Sequence, residues 1–251
     1  MTSVGKVYLV GAGPGTVDYL TVKGYRLLAQ AEVLVYDALV DVELLQLVPD
    51  HCLKLNVGKR GGKPSMKQPY IDRLLVKQCQ QGKQVIRLKS GDPFIFGRST
   101  SEIQALVAAG CDFDIVPGIS SALAAPLLAG IPLTDLVLSR CFTVLSAHEP
   151  DNLNWQTLAQ IDTLVILMGG QHLSAIVQQL QKQGRSSQTP IAIIRWAGHS
   201  QQQIWISTLS QILAHSGNQS LSPCVIVIGE VVGLHSFLQP SIHLPDPTLD
   251  G

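Results

Sequence analysis

Eight short apolar runs alternate along this chain with segments of helical periodicity. The runs carry Val, Ile and Leu at consecutive positions, which is typical of strands buried on both faces and favours a largely parallel sheet. They are Val7–Val10, Val33–Tyr36, Val85–Leu88, Phe113–Val116, Phe142–Leu145, Leu164–Leu167, Ile191–Arg195 and Val225–Ile228. Strands that alternate with helices predict an α/β architecture.

Three helical segments show both an apolar face and an end. Their apolar positions and terminal glycines are Ile71, Leu74, Leu75 and Cys79 before Gly82; Ile103, Leu106 and Val107 before Gly110; and Leu173, Ile176, Val177 and Leu180 before Gly184. A glycine in this place is typical of a helix C-cap. The segment Ser99-Thr100-Ser101-Glu102 also predicts a capping box at the start of the second helix.

The composition limits the class of protein. The chain has 251 residues, 46% of them apolar, which is enough for a sizeable core. Only 14% are charged, against roughly 25% in typical soluble domains. The low fraction of charged residues favours burial of surface within the fold or against a second subunit. A surface rich in Gln and Ser is the alternative explanation for the same fraction.

Other features of the sequence argue for a cytoplasmic protein without a metal. The five cysteines are odd in number and form no C-x-x-C pair, which indicates reduced thiols. The seven histidines lack metal-ligand spacing. No segment reaches the roughly 18 continuous apolar residues of a membrane span, and the first residues do not read as a signal peptide.

A domain boundary is expected at Pro117-Gly118. The chain is basic and glycine-rich before this point and nearly free of Lys and Arg after it until Arg140. The sequence therefore predicts an N-terminal α/β lobe over residues 1–117, a C-terminal α/β lobe over 118–238 and a tail over 239–251. A cleft between two lobes is a common location for a ligand.

Residues 54–98 hold eleven of the eighteen Lys and Arg, and within this stretch only Asp72 and Asp92 oppose them. A local positive field attracts anionic partners. Four of the cations fit a solvated helix face: Lys67, Arg73, Lys77 and Lys83. Four others lie in glycine-rich, aperiodic sequence and are the candidates for ligand contact: Lys59, Arg60, Lys63 and Arg98.

The segment Gly11-Ala12-Gly13-Pro14-Gly15 follows the first apolar run, and Asp37 lies about 20 residues further on, as in dinucleotide-binding folds. The fit is imperfect, because Thr16 stands at the third glycine position and Pro14 removes a backbone donor. A loop with few donors suits a ligand without phosphates, such as S-adenosylmethionine. A tight structural turn is the alternative.

Two further segments have the composition of ligand-binding loops. Ser90–Arg98 (SGDPFIFGR) joins an apolar run to a helix, and its glycines, proline and aromatic residues suit a rim where a ligand meets the backbone. Asn56–Lys63 (NVGKRGGK) is glycine-rich and basic; here Arg60 can grip a carboxylate and Lys59 can act as a point charge or proton donor. A flexible surface loop is the alternative for the second segment, and a helix cap or salt bridge is the alternative for Asp37.

Taken together and in order, these motifs resemble the tetrapyrrole methylase family over roughly residues 4–235. The matching motifs are GAGPG at 11–15, VYD at 35–37, VGKR at 57–60, GDPFIFGR at 91–98, PGIS at 117–120, MGG at 168–170 and RWA at 195–197. The resemblance implies two α/β lobes with a mostly parallel sheet in the first, a mixed sheet in the second and the active-site cleft between them. It also implies a homodimer. Neither nucleic acid nor a membrane is an expected partner, because the net charge is zero, the aromatic content is 5% and no apolar span is present.

The resemblance further implies the activity and the residues that carry it. The expected cofactor is S-adenosylmethionine, and the expected reaction is methylation of uroporphyrinogen III at C2 and C7 to precorrin-2, for sirohaem or cobalamin. Asp37 and Lys59 are expected as proton acceptor and donor, and Arg60, Lys63 and Arg98 as substrate-binding residues. The expected cofactor-binding residues are Pro14, Ser90, Gly91, Asp92, Ile95, Ser120, Ser121, Met168 and Ala197.

Three departures from the family pattern and three alternative functions remain. Ser90 replaces a usual glycine, Ser120-Ser121 a usual Thr-Ala, and Ser99-Thr100 a common Gly-Gly, and the first two add hydroxyls near the expected cofactor. The alternatives are a later corrin-ring methylase, a methylase of ribosomal RNA with a related fold, and an NAD-binding dehydrogenase or sensor. Since residues 1–251 hold no further N-terminal domain for dehydrogenation and iron insertion, methylation alone is expected.

Overall fold

The computed structural model describes residues 5–58, 66–217 and 219–238. They fall into two compact units. The first holds the chain up to Ala124 together with Trp196–Gln201, and the second holds Ala125–Arg195 and the chain from Gln202 onward. The boundary placed after residue 117 from the sequence, and the tail over 239–251, stay predictions; the tail lies outside the described residues.

The first unit is built on a sheet of five parallel strands in the order β3-β2-β4-β1-β5. The strands are β1 (Lys6–Gly11), β2 (Val33–Tyr36), β3 (Leu53–Asn56), β4 (Gln84–Lys89) and β5 (Asp112–Val116). The helices that connect them are α1 (Val22–Leu28), α2 (Gln68–Gln80) and α3 (Ser99–Ala108). The predicted helices around Ile71 and Ile103 are thereby confirmed.

Each face of this sheet has its own core. On one face, Leu28 of α1 packs with Val10, Leu34 and Ile86 of the strands. On the other, residues of α2 and α3 pack on the alternate strand positions, with Leu75 and Leu106 fully buried. Helices therefore cover both faces, as the consecutive apolar residues of β1, β2 and β4 require.

The second unit contains a mixed sheet in the order β6-β7-β10-β8-β9. Its strands are β6 (Phe142–Ser146), β7 (Thr163–Leu167), β8 (Pro190–Arg195), β9 (Gln203–Thr208) and β10 (Cys224–Ile228). Only β6 and β7 pair in parallel; β10 runs antiparallel to both β7 and β8, and β9 runs antiparallel to β8. The remaining helices along the chain are α4 (Ser121–Leu128), α5 (Trp155–Leu158), α6 (Leu173–Lys182), α7 (Ile212–Ser216) and α8 (His235–Leu238). The α/β class, with a parallel and a mixed sheet, is confirmed.

The predicted capping box at the start of α3 is wrong. The N-cap residue is Arg98, with a left-handed φ of 56°, and Ser99 is already helical. The Ser99 hydroxyl donates to the backbone carbonyl of Pro93. Glu102 is fully buried and pairs with two cations of β4, so its carboxylate is not available to cap the helix.

Within the described ranges, no helix is both long and apolar enough to cross a membrane. All five cysteines are free thiols. Cys52, Cys79 and Cys111 are buried, Cys224 is partly buried and Cys141 is exposed.

We expect an alkylating reagent to label Cys141 well before Cys79 or Cys224 in the native protein. Burial raises the pKa of the Cys79 thiol, helped by the neighbouring Cys111, and that of the Cys224 thiol, in each case to about 12. A thiol reacts as its thiolate, so these two react slowly near neutral pH. Timed iodoacetamide labelling with peptide mass analysis measures the order, with the unfolded protein as control. Equal rates at Cys79 and Cys141 would contradict the described burial.

Candidate active site

The first sheet places the carboxyl ends of its strands along one edge, because all its neighbouring strands are parallel. Strands β1 and β4 are neighbours in the sheet. After β1 the chain crosses to β2 on one side of this pair, and after β4 it crosses to β5 on the other side. Such a reversal is a topological switch point, where open α/β sheets bind ligands. The loops that follow β1, β4 and β5 at this edge, residues 12–16, 90–98 and 117–120, are called the rim below.

Glycines bring the backbones of the rim into direct contact. Gly13 and Gly91 exchange two backbone hydrogen bonds, of 3.2 and 3.1 Å. A Cβ atom on Gly11 would lie 2.5 Å from backbone atoms of Gly118, and one on Gly118 would lie 2.2 Å from the carbonyl oxygen of Gly91. Any side chain at Gly11 or Gly118 would therefore force the three loops apart.

Asp92 ties two of the rim loops together. Its Oδ1 accepts a hydrogen bond of 2.8 Å from the backbone N–H of Phe94, and its Oδ2 accepts one of 3.2 Å from that of Gly118. The Asp92 carbonyl oxygen accepts from the N–H of Ile95 at 3.3 Å. With the backbone fixed in this way, the apolar side chains of Phe94, Ile95 and Phe96 stay exposed, by 62, 42 and 49%. Asp92 thus shapes the loop rather than facing solvent as a free carboxylate.

Among the described residues, four residues other than glycine take a left-handed φ: Phe96 (54°), Arg98 (56°), Met168 (56°) and Trp196 (52°). Such a conformation costs of order 1–3 kcal/mol and clusters at functional sites. All four lie in the segments GDPFIFGR, MGG and RWA that the sequence singled out. The backbone strain therefore coincides with the predicted binding segments.

The segment Trp196–Gln201 packs against the loop after β1. A Cβ atom on Gly198, whose φ is +80°, would lie 1.9 Å from the carbonyl oxygen of Pro14. His199 Nδ1 lies 2.9 Å from Asp41 Oδ2, and the His199 ring meets that of Trp196 edge-on at 5.4 Å. The segment that carries Ala197 is thus fixed to the buried Pro14 on one side and to the chain after β2 on the other.

Asp37 directly follows β2 at the same edge of the sheet, as the sequence predicts. Its Oδ1 accepts from Arg87 Nη2 at 2.6 Å, and its Oδ2 accepts from the backbone N–H of Ser90 at 3.4 Å. The Asp37 side chain keeps 31% of its surface exposed. The salt bridge considered as an alternative from the sequence is therefore present, and the carboxylate still reaches solvent.

Behind Asp37 lies a network of buried charges. Arg87 Nε donates to Glu102 Oε1 at 2.9 Å, and Lys89 Nζ donates to Glu102 Oε2 at 2.7 Å. The side chains of these three residues are at most 3% exposed. Burial acts to lower the pKa of Arg87, but the carboxylates of Asp37 and Glu102 outweigh it and raise that pKa above its ordinary value. Burial and the nearby Arg87 together lower the pKa of Lys89, despite Glu102.

Three serines add hydroxyl groups near the rim. The Ser90 Oγ atom is buried and has no hydrogen-bond partner. Ser120 is buried, and its Oγ accepts from the backbone N–H of Ala122 at 3.3 Å at the start of α4. Ser121 is the first residue of α4 and is partly buried. Of these three serines, Ser90 is the one with a buried hydroxyl that has no hydrogen-bond partner.

The structure brings most of the predicted site residues to one unit. Eight predicted cofactor-binding residues lie in the rim, at the start of α4 and in the segment packed on the rim: Pro14, Ser90, Gly91, Asp92, Ile95, Ser120, Ser121 and Ala197. The ninth, Met168, follows β7 in the second unit and is exposed. Arg98 is exposed at the N-cap of α3. Lys59, Arg60 and Lys63 lie outside the described residues.

The positive field expected over residues 54–98 is smaller than the sequence suggests. Lys83 pairs with Glu32 at 3.0 Å, and Arg87 and Lys89 are buried against Glu102. The other carboxylates that pair with these cations, Glu32 and Asp37, lie before residue 54. A count of acidic residues within 54–98 therefore missed them. Glu102 itself lies just beyond the end of this range.

In the part of the chain that the structure describes, no group of three or more His, Cys, Asp or Glu side chains could hold a metal ion.

Comparison with known proteins places this geometry in one family. Residues 6–213 match the family of Tetrapyrrole (Corrin/Porphyrin) Methylases. The chain is 58% identical to the uroporphyrinogen-III C-methyltransferase of Synechococcus elongatus over 93% of this chain and 96% of that protein. It is 46% identical to siroheme synthase 2 of Yersinia pestis, of whose length it spans only 50%.

A solved structure matches over nearly the same extent. The uroporphyrin-III C-methyl transferase from Thermus thermophilus, complexed with S-adenyl homocysteine, superposes with a TM-score of 0.79 at 35% identity. The match covers 91% of this chain and 99% of that one. The resemblance found in the motifs thus extends through the whole fold, and the chain belongs to the tetrapyrrole methylase family.

Proposed function

We propose that this protein transfers methyl groups from S-adenosylmethionine to C2 and C7 of uroporphyrinogen III, giving precorrin-2. The observation that carries the proposal is the 58% identity to a uroporphyrinogen-III C-methyltransferase over 96% of that protein's length. The siroheme synthases are about twice as long as the match, so their further activities form no part of the proposal.

The rim fits S-adenosylmethionine better than a dinucleotide. Pro14 offers no N–H at the position where a pyrophosphate needs donors, and S-adenosylmethionine has no phosphate. The orphaned hydroxyl of Ser90 supplies a hydrogen-bonding group that the protein itself does not use. A Cβ on Gly91 would lie 3.7 Å from the backbone nitrogen of Ser121, in ordinary van der Waals contact, so it is the φ of +68° rather than crowding that favours glycine there. Met168, which lies in the second unit, is the ninth proposed cofactor-binding residue.

The residues of the chain have two tasks in the proposed reaction. S-adenosylmethionine supplies an electrophilic methyl group on a sulfonium sulfur. Asp37 accepts the proton that the pyrrole N–H loses, so that electron density moves to the ring carbon that bonds to the methyl group. The bond between the methyl carbon and sulfur breaks, its electron pair stays on sulfur, and S-adenosylhomocysteine is the leaving group. Lys59 is the proposed proton donor. Rim residues hold the reacting carbon and the methyl group in line, which can account for about 7–11 kcal/mol of a barrier. Proton transfer contributes less, typically about 10²–10⁴-fold.

Arg60, Lys63 and Arg98 are proposed to bind the carboxylates of the substrate. A guanidinium group binds a carboxylate through two parallel hydrogen bonds, and uroporphyrinogen III carries eight carboxylates. The exposed position of Arg98 at the end of the loop 90–98 supports this role for it.

Titration with S-adenosylhomocysteine and with NAD tests the cofactor. We expect the sulfur nucleoside to bind and NAD to bind at least a hundredfold more weakly. Tight NAD binding alone would favour a dehydrogenase or sensor. Transfer of labelled methyl groups to ribosomal RNA, or to a later corrin intermediate but not to uroporphyrinogen III, would favour the other two alternatives.

We also propose that the protein is a cytoplasmic homodimer. Leu127, Leu136 and Val137 of the second unit are 75, 89 and 86% exposed, and large apolar side chains at such exposure favour a covered surface. The free thiols support a reducing compartment. Light scattering on the purified protein should give twice the chain mass; a monomer at every concentration would contradict the dimer.

A further inference from the structure

We propose that Arg87, locked in place by Glu102, is the positioning residue that orients the Asp37 carboxylate toward the substrate. This inference depends on the proposed function, because it gives Asp37 the task of accepting a proton. It adds two residues, on a strand and a helix, to which neither the sequence motifs nor the comparisons assign a role.

The first support is the geometry of Arg87. Its three guanidinium nitrogens bind three different acceptors: Nη2 binds Asp37 Oδ1 at 2.6 Å, Nε binds Glu102 Oε1 at 2.9 Å and Nη1 binds the carbonyl oxygen of Leu88 at 3.2 Å. A planar group held at three points has one orientation. The position of Asp37 Oδ1 is therefore set by the rigid strand β4 and by α3.

The second support is the way Glu102 is itself fixed. Its Oε1 binds Arg87, and its Oε2 binds Lys89 Nζ at 2.7 Å. Arg87 and Lys89 stand two residues apart on β4, so their side chains leave the same face of the sheet. Glu102 on α3 thus bridges both cations and cannot rotate without breaking one of the two contacts.

The third support is the pattern of exposure. Arg87, Lys89 and Glu102 are at most 3% exposed, whereas Asp37 is 31% exposed. Asp37 is accordingly the only end of the network that a substrate can reach. Buried ion pairs often stabilise a fold no better than apolar residues of the same volume, so stability alone does not account for three charges in the apolar face built by Val85 and Leu106.

The test is an Arg87→Lys variant. Lysine keeps the charge but cannot bind Asp37 and Glu102 with a planar fork, so Asp37 loses its fixed orientation. Misplacement by about 1 Å can cost about 10²-fold in rate. We expect kcat to fall by roughly 10–100-fold, while KM for uroporphyrinogen III and the affinity for S-adenosylhomocysteine change by less than about threefold. Lys83→Arg, at the exposed pair with Glu32, is the matched control and should keep the wild-type kcat.

A double-mutant cycle separates positioning from general structural damage. If Arg87 acts through Asp37, Arg87→Lys should slow an Asp37→Ala enzyme by less than about threefold. The same loss in both backgrounds, or an unchanged kcat in Arg87→Lys alone, would overturn the proposal. Glu102→Gln keeps the shape of the carboxylate and serves as the second variant if Arg87→Lys does not fold. We expect it to lower kcat by less than Arg87→Lys does, and we expect no such loss in the Asp37→Ala background.

The two proposals fail in different ways. A wild-type protein that binds S-adenosylhomocysteine but transfers no methyl group to uroporphyrinogen III would overturn the proposed function. An active wild-type protein with an equally active Arg87→Lys variant would overturn only the positioning role.

Discussion

An Asp37→Ala variant is expected to lose about 10²–10⁴-fold in kcat and still to turn over measurably, because proton transfer contributes a factor of that size. The remaining activity comes from the alignment of the two reactants, which Asp37 does not provide. Single-turnover assays under anaerobic conditions with uroporphyrinogen III and S-adenosylmethionine measure the loss.

The control for this variant is Asp50→Ala, at an exposed carboxylate outside the rim. It should retain the wild-type rate, and both variants should bind S-adenosylhomocysteine like the wild type. Wild-type turnover by Asp37→Ala would remove Asp37 from the reaction. Complete loss of turnover together with loss of S-adenosylhomocysteine binding would show instead that Asp37 maintains the structure of the rim.

The second large effect concerns stability. Replacing Glu102 with alanine is expected to lower the free energy of unfolding by about 3–5 kcal/mol, because removing one partner of a buried ion pair leaves uncompensated charge. Here two buried cations, Arg87 and Lys89, lose their shared carboxylate. Urea unfolding followed by circular dichroism measures the difference. The matched control is Glu32→Ala, whose pair with Lys83 is exposed and should cost no more than about 1 kcal/mol.

The loss of unfolding free energy caused by Glu102→Ala should become smaller as the pH rises from 7 toward 10. Burial and Arg87 already lower the pKa of Lys89, and removing Glu102 lowers it further. A base whose pKa is lower in the folded state is protonated more readily in the unfolded state, so folding is penalised below both pKa values. The penalty disappears as the pH approaches the unfolded pKa of about 10.4. A loss that is constant or grows with pH would contradict the buried position of Lys89.

The sequence predicted every central strand and two of the four edge strands, β5 and β6. All eight apolar runs are strands, but β3 and β9 were missed, and each lies at the edge of its sheet. An edge strand has one neighbour and stays partly exposed, so Leu53–Asn56 (LKLN) carries no consecutive apolar run. Strand direction was also beyond the pattern, since β10 is apolar and buried yet antiparallel to both neighbours. Burial on two faces does not determine the direction of pairing.

The candidate site was predicted from loops, and its supporting residues were missed. The loops after β1, β2, β4 and β5 meet because parallel strands end at one edge, which the α/β pattern implies. The role of Glu102 was obscured by its fit to a capping box. A signal was nevertheless present: Arg87 interrupts a run that was itself interpreted as a buried strand, and a buried arginine requires a carboxylate partner. Which carboxylates pair with Arg87 depends on how α3 packs on the sheet, and local sequence does not reveal that packing.

The most direct measurement is the number and position of methyl groups transferred to uroporphyrinogen III. The protein is incubated without oxygen with this substrate and with S-adenosylmethionine labelled in the methyl group, and the oxidised product is analysed by mass spectrometry and carbon NMR. The account predicts two labelled methyl groups, at C2 and C7. An unlabelled product from protein that still binds S-adenosylhomocysteine, or label at other ring carbons, would contradict it.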